Sequence, residues 1–367
     1  MKEKWGWGIE TVVAVADYFL IDDYNGWVYA VNGDFITTAA QSTFNFYDDS
    51  IDTPDFIAAK SSSLVVVHAY NYPPPSHYWS STDGGNNFAI AATREDTGFQ
   101  WGYLRLFATD ITNGDIWAVI GYVSGDNDDE SFLDVSTDGG QTWNYVFLHA
   151  KPDLSHAIAA VHIAPRYDGS TAWVYTAYYK TTDPNQYHWD YCYIDLVDNT
   201  GSVLETYLFD ASTVLGEPEG QGIWTTGGMV GNSDLFSAVS FNYGDLWQLE
   251  WSTKTWTKQT GFTPTGYQNQ ILSSRLGTLF IYETPIGGGV IINRSTDGIN
   301  WSPVTLPISV PTPVSRSMMI GTSNQLAFFV DGGTFIHSED DGVTWTQSAV
   351  VSGLEDATVP DQCGAAT

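Results

Sequence analysis

One octet recurs along this chain, and it limits what the chain can become. It reads Ser-Thr-Asp-Gly-Gly-Asn-Asn-Phe at 81–88 and Ser-Thr-Asp-Gly-Gly-Gln-Thr-Trp at 136–143. It returns one residue short as Ser-Thr-Asp-Gly-Ile-Asn-Trp at 295–301, and in full as Ser-Glu-Asp-Asp-Gly-Val-Thr-Trp at 338–345. The chemistry is that of a hairpin turn. Ser and Asp exchange hydrogen bonds with nearby backbone, Gly supplies a positive φ, and the closing aromatic packs beneath the turn. A turn that returns at similar intervals marks a repeat architecture. Asp83 to Asp138 spans 55 residues and Asp297 to Asp340 spans 43. The 159 residues from Asp138 to Asp297 hold three such intervals, with room for two degenerate turns. Candidates are Asp-Leu-Val-Asp-Asn-Thr-Gly-Ser at 195–202 and Trp-Ser-Thr-Lys-Thr-Trp at 251–256, with Val-Asn-Gly-Asp-Phe at 31–35 upstream. The sum is seven units of about 52 residues, within the range of four-stranded blades.

Strand patterns agree with that register. Ahead of the octet at 136 lie Gly102–Ala108, Asp115–Tyr122 and Ser131–Val135, and after it Trp143–Leu148. These short runs are rich in β-branched and aromatic residues and are separated by Gly and Asp turns. The last unit repeats the order at 315–321, 325–330, 334–337 and 345–351, and no window sustains a 3.6-residue period.

The pattern S-x-D-x-G-x-T-W resembles the Asp-box, or BNR repeat, of sialidase-type β-propellers. The resemblance implies an all-β fold, a seven-bladed propeller of four-stranded antiparallel blades, with six blades as the alternative count. It also implies that each box joins the third and fourth strands of a blade, on the face opposite the binding site. The box residues Ser81, Asp83, Gly85, Ser136, Asp138, Gly140, Trp143, Asp297, Trp301, Ser338, Asp340, Gly342 and Trp345 are therefore expected to be structural. A blade cannot bury both faces alone, so residues 1–351 are expected to form one propeller domain and 352–367 a C-terminal tail. The N-terminal Lys-Trp-Gly-Trp-Gly at 4–8 is a candidate closing strand.

Charge narrows the partners. There are 43 acidic and 13 basic side chains, a net charge of −30. Phosphate neutralisation needs Lys and Arg, so nucleic acid is excluded as a partner, and an anionic membrane surface is disfavoured for the same reason. No apolar run approaches the roughly 18 residues of a membrane span. Disorder is excluded by 15 Trp, 21 Tyr and 18 Phe. Cys192 and Cys363 have no metal-like spacing, and the sequence leaves open whether they pair.

On this register the loops between strands two and three, and those between blades, gather on one face. They are long and aromatic: 43–55, 70–79, 94–103, 178–190, 209–222 and 262–270. Rings beside Asp, Asn and Gln suit carbohydrate, because a ring covers the apolar sugar face while amides and carboxylates take the hydroxyls. Tyr72, Tyr78, Trp79, Trp101, Tyr187 and Trp189 are the candidate ligand contacts.

Catalysis is the competing reading. A glycoside hydrolase needs two carboxyls, one protonated and one ionised. Asp48, Asp49, Asp52, Asp55, Glu95, Asp96, Glu217 and Glu219 fall on the loop face, though solvated loop acids explain them equally well. The resemblance brings sialidases to mind, with their arginine triad and opening Arg-Ile-Pro signature. Here the first arginine is Arg94, the signature is missing, and the negative field repels an anionic sugar. Asp126, Asp128 and Glu130 alternate as in the opening of a calcium loop but lack its Gly and distal Glu, so Ca2+ is the one cofactor to test. His149, His156 and His162 have no ligand spacing for zinc.

The expectation is a non-enzymatic recognition or structural module at an extracellular or virion surface. Its partners would be glycans or cell-surface polysaccharide, together with other virion or surface proteins. The N-terminus Met-Lys-Glu-Lys-Trp-Gly-Trp-Gly has no apolar signal core. A phage or archaeal-virus fibre, spike or decoration protein reaches the medium without one. A glycoside hydrolase on the same scaffold is the alternative.

Overall fold

The computed structural model describes residues 7–15, 18–23, 27–32, 41–45, 53–61, 64–70, 76–82, 87–94, 105–108, 117–123, 130–138, 140–166, 171–181, 189–215, 230–231, 235–239, 245–263, 266–274, 276–285, 290–308, 319–320, 325–330, 332–350 and 357–358. Among these residues seven antiparallel sheets of four consecutive strands follow one another along the chain, and the first gains a fifth strand from the C-terminal end. The first holds β1 (Trp7–Val15), β2 (Tyr18–Asp23), β3 (Trp27–Asn32) and β4 (Gln41–Asn45). The second holds β5 (Thr53–Ser61), β6 (Leu64–Tyr70), β7 (Ser76–Ser81) and β8 (Ala89–Arg94). The third holds β9 (Arg105–Ala108), β10 (Trp117–Val123), β11 (Glu130–Ser136) and β12 (Asn144–Ala150). The fourth holds β13 (His156–Pro165), β14 (Thr171–Lys180), β15 (Tyr191–Asp198) and β16 (Val203–Phe209), followed by the short helix α1 (Ala211–Leu215). The fifth holds β17 (Val230–Gly231), β18 (Leu235–Val239), β19 (Leu246–Glu250) and β20 (Thr255–Lys258). The sixth holds β21 (Gly266–Ser273), β22 (Leu279–Pro285), β23 (Ile291–Ser295) and β24 (Ser302–Pro303). The seventh holds β25 (Met319–Ile320), β26 (Leu326–Val330), β27 (Thr334–Ser338) and β28 (Thr346–Gln347).

Apart from the pairing of the chain's two ends given below, the hydrogen-bonded neighbours within each sheet are also neighbours in sequence. Each octet therefore falls between a third and a fourth strand, the place expected of it. The degenerate turns do the same, at 199–202 between β15 and β16 and at 251–254 between β19 and β20. Residues 357–358, in the stretch read as a tail, form β29 (Ala357–Thr358). This strand pairs in parallel with β1 through Trp7–Ala357 and Gly8–Thr358, so both ends of the chain share one sheet.

By contact the chain divides into two compact units. The first comprises residues 1–95, 274–294 and 302–367, and the second 96–273 and 295–301. Within the second, β14 shows why these strands read as continuous apolar runs. Trp173, Tyr175 and Ala177 point into a cluster with Cys192, Ile194, Trp247, Leu249 and Trp251, between the fourth and fifth sheets. Ala172 and Val174 point the other way, to Leu133, Val135, Leu148 and Val161 of the third and fourth sheets. Alternate residues bury opposite faces, so a central strand has no polar side. Truncating an aromatic side chain in such a core costs about 3–5 kcal/mol. The turn at 199–202 is held against the third sheet by Gly201, at φ 83°, where a Cβ would fall 2.8 Å from Val135.

Candidate functional site

The octets at 136, 295 and 338 occupy one end of their sheets, and the Ser and Asp groups described there bond within their own turns. Ser136 Oγ donates to Asp138 Oδ1 at 2.9 Å and accepts the Gly140 N–H at 2.7 Å. Asp138 Oδ1 accepts the Thr142 N–H at 2.9 Å, and Oδ2 accepts the Thr142 hydroxyl at 2.6 Å. Trp143 Nε1 closes the loop on the Gly140 carbonyl at 3.0 Å. The same bonds recur at Ser338, Asp340, Gly342, Thr344 and Trp345. The shorter copy substitutes Asn300 for Thr around Asp297 and closes Trp301 on Gly298. Asp198 does similar work in the degenerate turn, accepting the N–H groups of Thr200 and Ser202 at 2.8 and 3.0 Å. Burial pushes the Asp138 and Asp340 carboxyls up, but these hydrogen bonds outweigh it and hold both below the usual carboxylate range. For Asp297 the N–H and side chain of Asn300 lead the same downward shift. Ser81 is buried, while Asp83 and Gly85 lie outside the described residues.

One octet departs from the pattern. Asp341 stands where two copies carry Gly84 and Gly139, and it adopts φ 58°. Asp is among the few side chains that bond locally from this region. Its carboxylate takes the Thr278 hydroxyl and Arg294 Nη2, the latter at 3.4 Å.

The opposite end of the fourth sheet has a different character. There the connection 151–155 enters β13, and the connection 181–190 joins β14 to β15. Asp153 builds the first of these locally, accepting the Ser155 N–H at 2.7 Å, an Asx turn. Thr181 N–H donates to the Ser155 carbonyl at 2.7 Å, which lays one connection against the other. His156 then stands between two carboxylates, with Nδ1 2.8 Å from Asp153 Oδ1 and Nε2 3.2 Å from Asp190 Oδ2. The Ser155 hydroxyl and the His156 ring hold the Asp153 carboxyl down at about 2. The Tyr191 ring meets His156 edge-on, at 5.1 Å and 84°.

A second histidine lies nearby, from the last turn of β12. His149 Nε2 bonds Asp195 Oδ2 at 2.6 Å, and Thr206 donates to the other oxygen at 2.6 Å. The Tyr193 ring stacks on His149 at 3.9 Å, and burial raises the Tyr193 phenol. Tyr178 OH donates to the His149 carbonyl at 3.0 Å. This end of the sheet thus presents half-buried Tyr191 and Tyr193 beside Asp153, Ser155, Thr181, Asp190 and His149.

The residues expected from sequence fall unevenly on this picture. Trp189 is 2% exposed, inside the aromatic cluster between the fourth and fifth sheets, and Tyr78 is 2% exposed on β7. Their rings are covered by protein. Trp79 is half-buried on β7 beside His77. Asp55 lies in β5, and Glu130 opens β11, pairing with Val123 and Ala150. Tyr72, Trp101, Tyr187, Asp48, Asp49, Asp52, Glu95, Asp96, Asp126, Asp128, Glu217 and Glu219 lie outside the described residues. Among the described residues no three metal-ligating side chains come together. The sequence reading weighed His149 and His156 only as zinc ligands, placed Asp195 in a degenerate turn and Asp190 in a loop, and assigned no site role to Asp153. Only the Asp-x-Ser turn at 153–155 has a local signature; the other contacts join residues 34 and 46 apart.

No family model matches the sequence, and no curated protein matches it. Solved structures do match in fold. A prolyl endopeptidase is similar over 93% of this chain and 48% of its own, with a TM-score of 0.61 and 11% identity. Prolyl oligopeptidase B from Galerina marginata is similar over 96% of this chain and 52% of its own, at 0.62 and 7%. The computationally designed propeller Ika8 is similar over 97% and 96%, at 0.50 and 11%. The chain spans about half the length of the two peptidases. Likeness at these identities concerns the fold: the chain is an all-β propeller of four-stranded antiparallel sheets.

Proposed function

We propose that this protein is a carbohydrate-recognition module on an Asp-box propeller, working at an extracellular or virion surface as part of a phage or archaeal-virus fibre, spike or decoration protein. The observation that carries the reading is the pairing of Tyr191 and Tyr193 with Asp153, Ser155, Thr181, Asp190 and His149 at one end of the fourth sheet. Rings of this kind cover the apolar face of a sugar, and the surrounding acceptors and donors take its hydroxyls.

A glycan array, run beside a reducing-end release assay on each bound glycan, tests the reading. The expected result is binding without release, weakened at least tenfold in Tyr191→Ala and Tyr193→Ala while the unfolding midpoint stays within a few degrees. Release of sugar replaces recognition with hydrolysis, and an array with no bound glycan sinks the proposal. Trp189→Ala is no substitute as a test, because its buried ring reports on folding.

A further inference from the structure

The His156 ring contacts two connections that are far apart in sequence. The residue is 4% exposed and opens β13. Both ring nitrogens face carboxylate oxygens, at 2.8 Å on Asp153 and 3.2 Å on Asp190. An ionised carboxylate only accepts, so both contacts are hydrogen bonds only when both nitrogens carry protons. A neutral ring has one bare lone pair, which must then oppose a carboxylate oxygen. Asp190 depends on this donor. Its side chain is 23% exposed, and among the described residues the buried Oδ1 has no hydrogen-bond partner and His156 alone reaches Oδ2.

The other groups around the ring do not replace that arrangement. Tyr191 presents its ring, and Ser155 Oγ lies 3.4 Å from Nδ1 but is engaged with Asp153. Lys180 is opposite His156 in the β13–β14 register, and Lys151 lies in the connection before it. Arg105 opens β9 and Tyr122 lies in β10, two strands that pack against β13. β17, also packed there, has no titratable side chain. His149, at the end of β12, is bonded to Asp195.

We propose that His156 is a proton-operated clasp between the connection 151–155 and the start of β15. Protonated, it draws Asp153 and Asp190 to one ring and holds the two segments together. When the ring loses a proton, one contact becomes repulsive and the segments part. The clasp is closed on the acid side of the ring's titration and open on the alkaline side. Its bearing on ligand affinity, through the adjacent Tyr191, rests on the recognition reading above; the clasp itself does not.

Amide exchange in the full chain tests this without any ligand, so its failure is distinct from a failure of carbohydrate recognition. The informative amides are Ser155, His156 and Thr181, bonded to Asp153 Oδ1, the Asp153 carbonyl and the Ser155 carbonyl. Their protection, corrected for intrinsic base catalysis, is followed across pH beside the His156 ring signals in histidine-labelled protein. Protection should fall at least tenfold with the same midpoint as the ring. His156→Gln, which donates from one end only, should abolish the pH step. Asp153→Asn, at an exposed site that spares the core, should move the ring and the protection midpoints together to lower pH. Protection that is flat through the ring titration, or a midpoint unmoved in Asp153→Asn, overturns the proposal.

Discussion

Gly342→Ala isolates what the octet's glycine does. Gly342 has φ +79°, and a Cβ placed there falls 2.5 Å from both Cε1 and Cζ of Phe280. Real Cβ atoms do not approach that closely, and Phe280 is fully buried against Trp345, so the ring has nowhere to retreat. Gly332 provides the comparison. Its φ is +84°, with nothing within 4 Å of a built Cβ. Both substitutions incur the left-handed backbone cost of roughly 1–2 kcal/mol. Both also restrict the unfolded chain, by about 0.4–1 kcal/mol in the opposite direction. These contributions cancel in the difference, which leaves the overpacking at Phe280, about 1–3 kcal/mol. Both glycines belong to the first compact unit, so the same unfolding transition is compared. Urea unfolding followed by circular dichroism should therefore place Gly342→Ala below Gly332→Ala by that amount. Equal losses would show that the octet needs its glycine for backbone conformation alone and would refute the close-approach argument.

The octet aspartates also set an acid limit on stability. The folded carboxyls of Asp138, Asp297 and Asp340 titrate below their unfolded values, so the unfolded chain binds protons first. Their contribution is complete above the unfolded carboxylate range and is lost as pH falls through the folded values. Unfolding midpoints measured downward from pH 5 should decline, and Asp297→Asn should lessen that decline. Cys192 is a free, buried thiol, pushed up to about 12 chiefly by burial. In a Cys363→Ser background it should resist maleimide in the native state and react only at the rate of unfolding. Fast labelling of folded protein would place it nearer solvent than the core cluster allows.

Some of this was legible in residue order because its physics is local. An Asx-type turn needs Asp, Ser or Thr and Gly within eight positions, so the octets marked the third-to-fourth-strand connections directly. The flanking alternation placed the strands: the expected run 131–135 is β11 at 130–136, and 325–330 is β26 at 326–330. Which aromatic rings stay near the surface was not legible. Trp189 and Tyr191 are two residues apart, yet one is in the core and the other half-exposed, because the packing of the fifth sheet on the fourth decides which side is covered.

Composition and repeats alone determined the fold class and the turn chemistry. These depend on short-range hydrogen bonding and on period-two alternation, both of which are written in residue order. Tertiary structure alone decided the Asp153–His156–Asp190 triad, the His149–Asp195 pair and the sharing of one sheet by Trp7–Gly8 and Ala357–Thr358. Apart from the i,i+3 contact of Asp153 with His156, each joins groups far apart along the chain, so no spacing could announce them: His149 and Asp195 meet across two sheets, and the others meet within one sheet once its strands have paired.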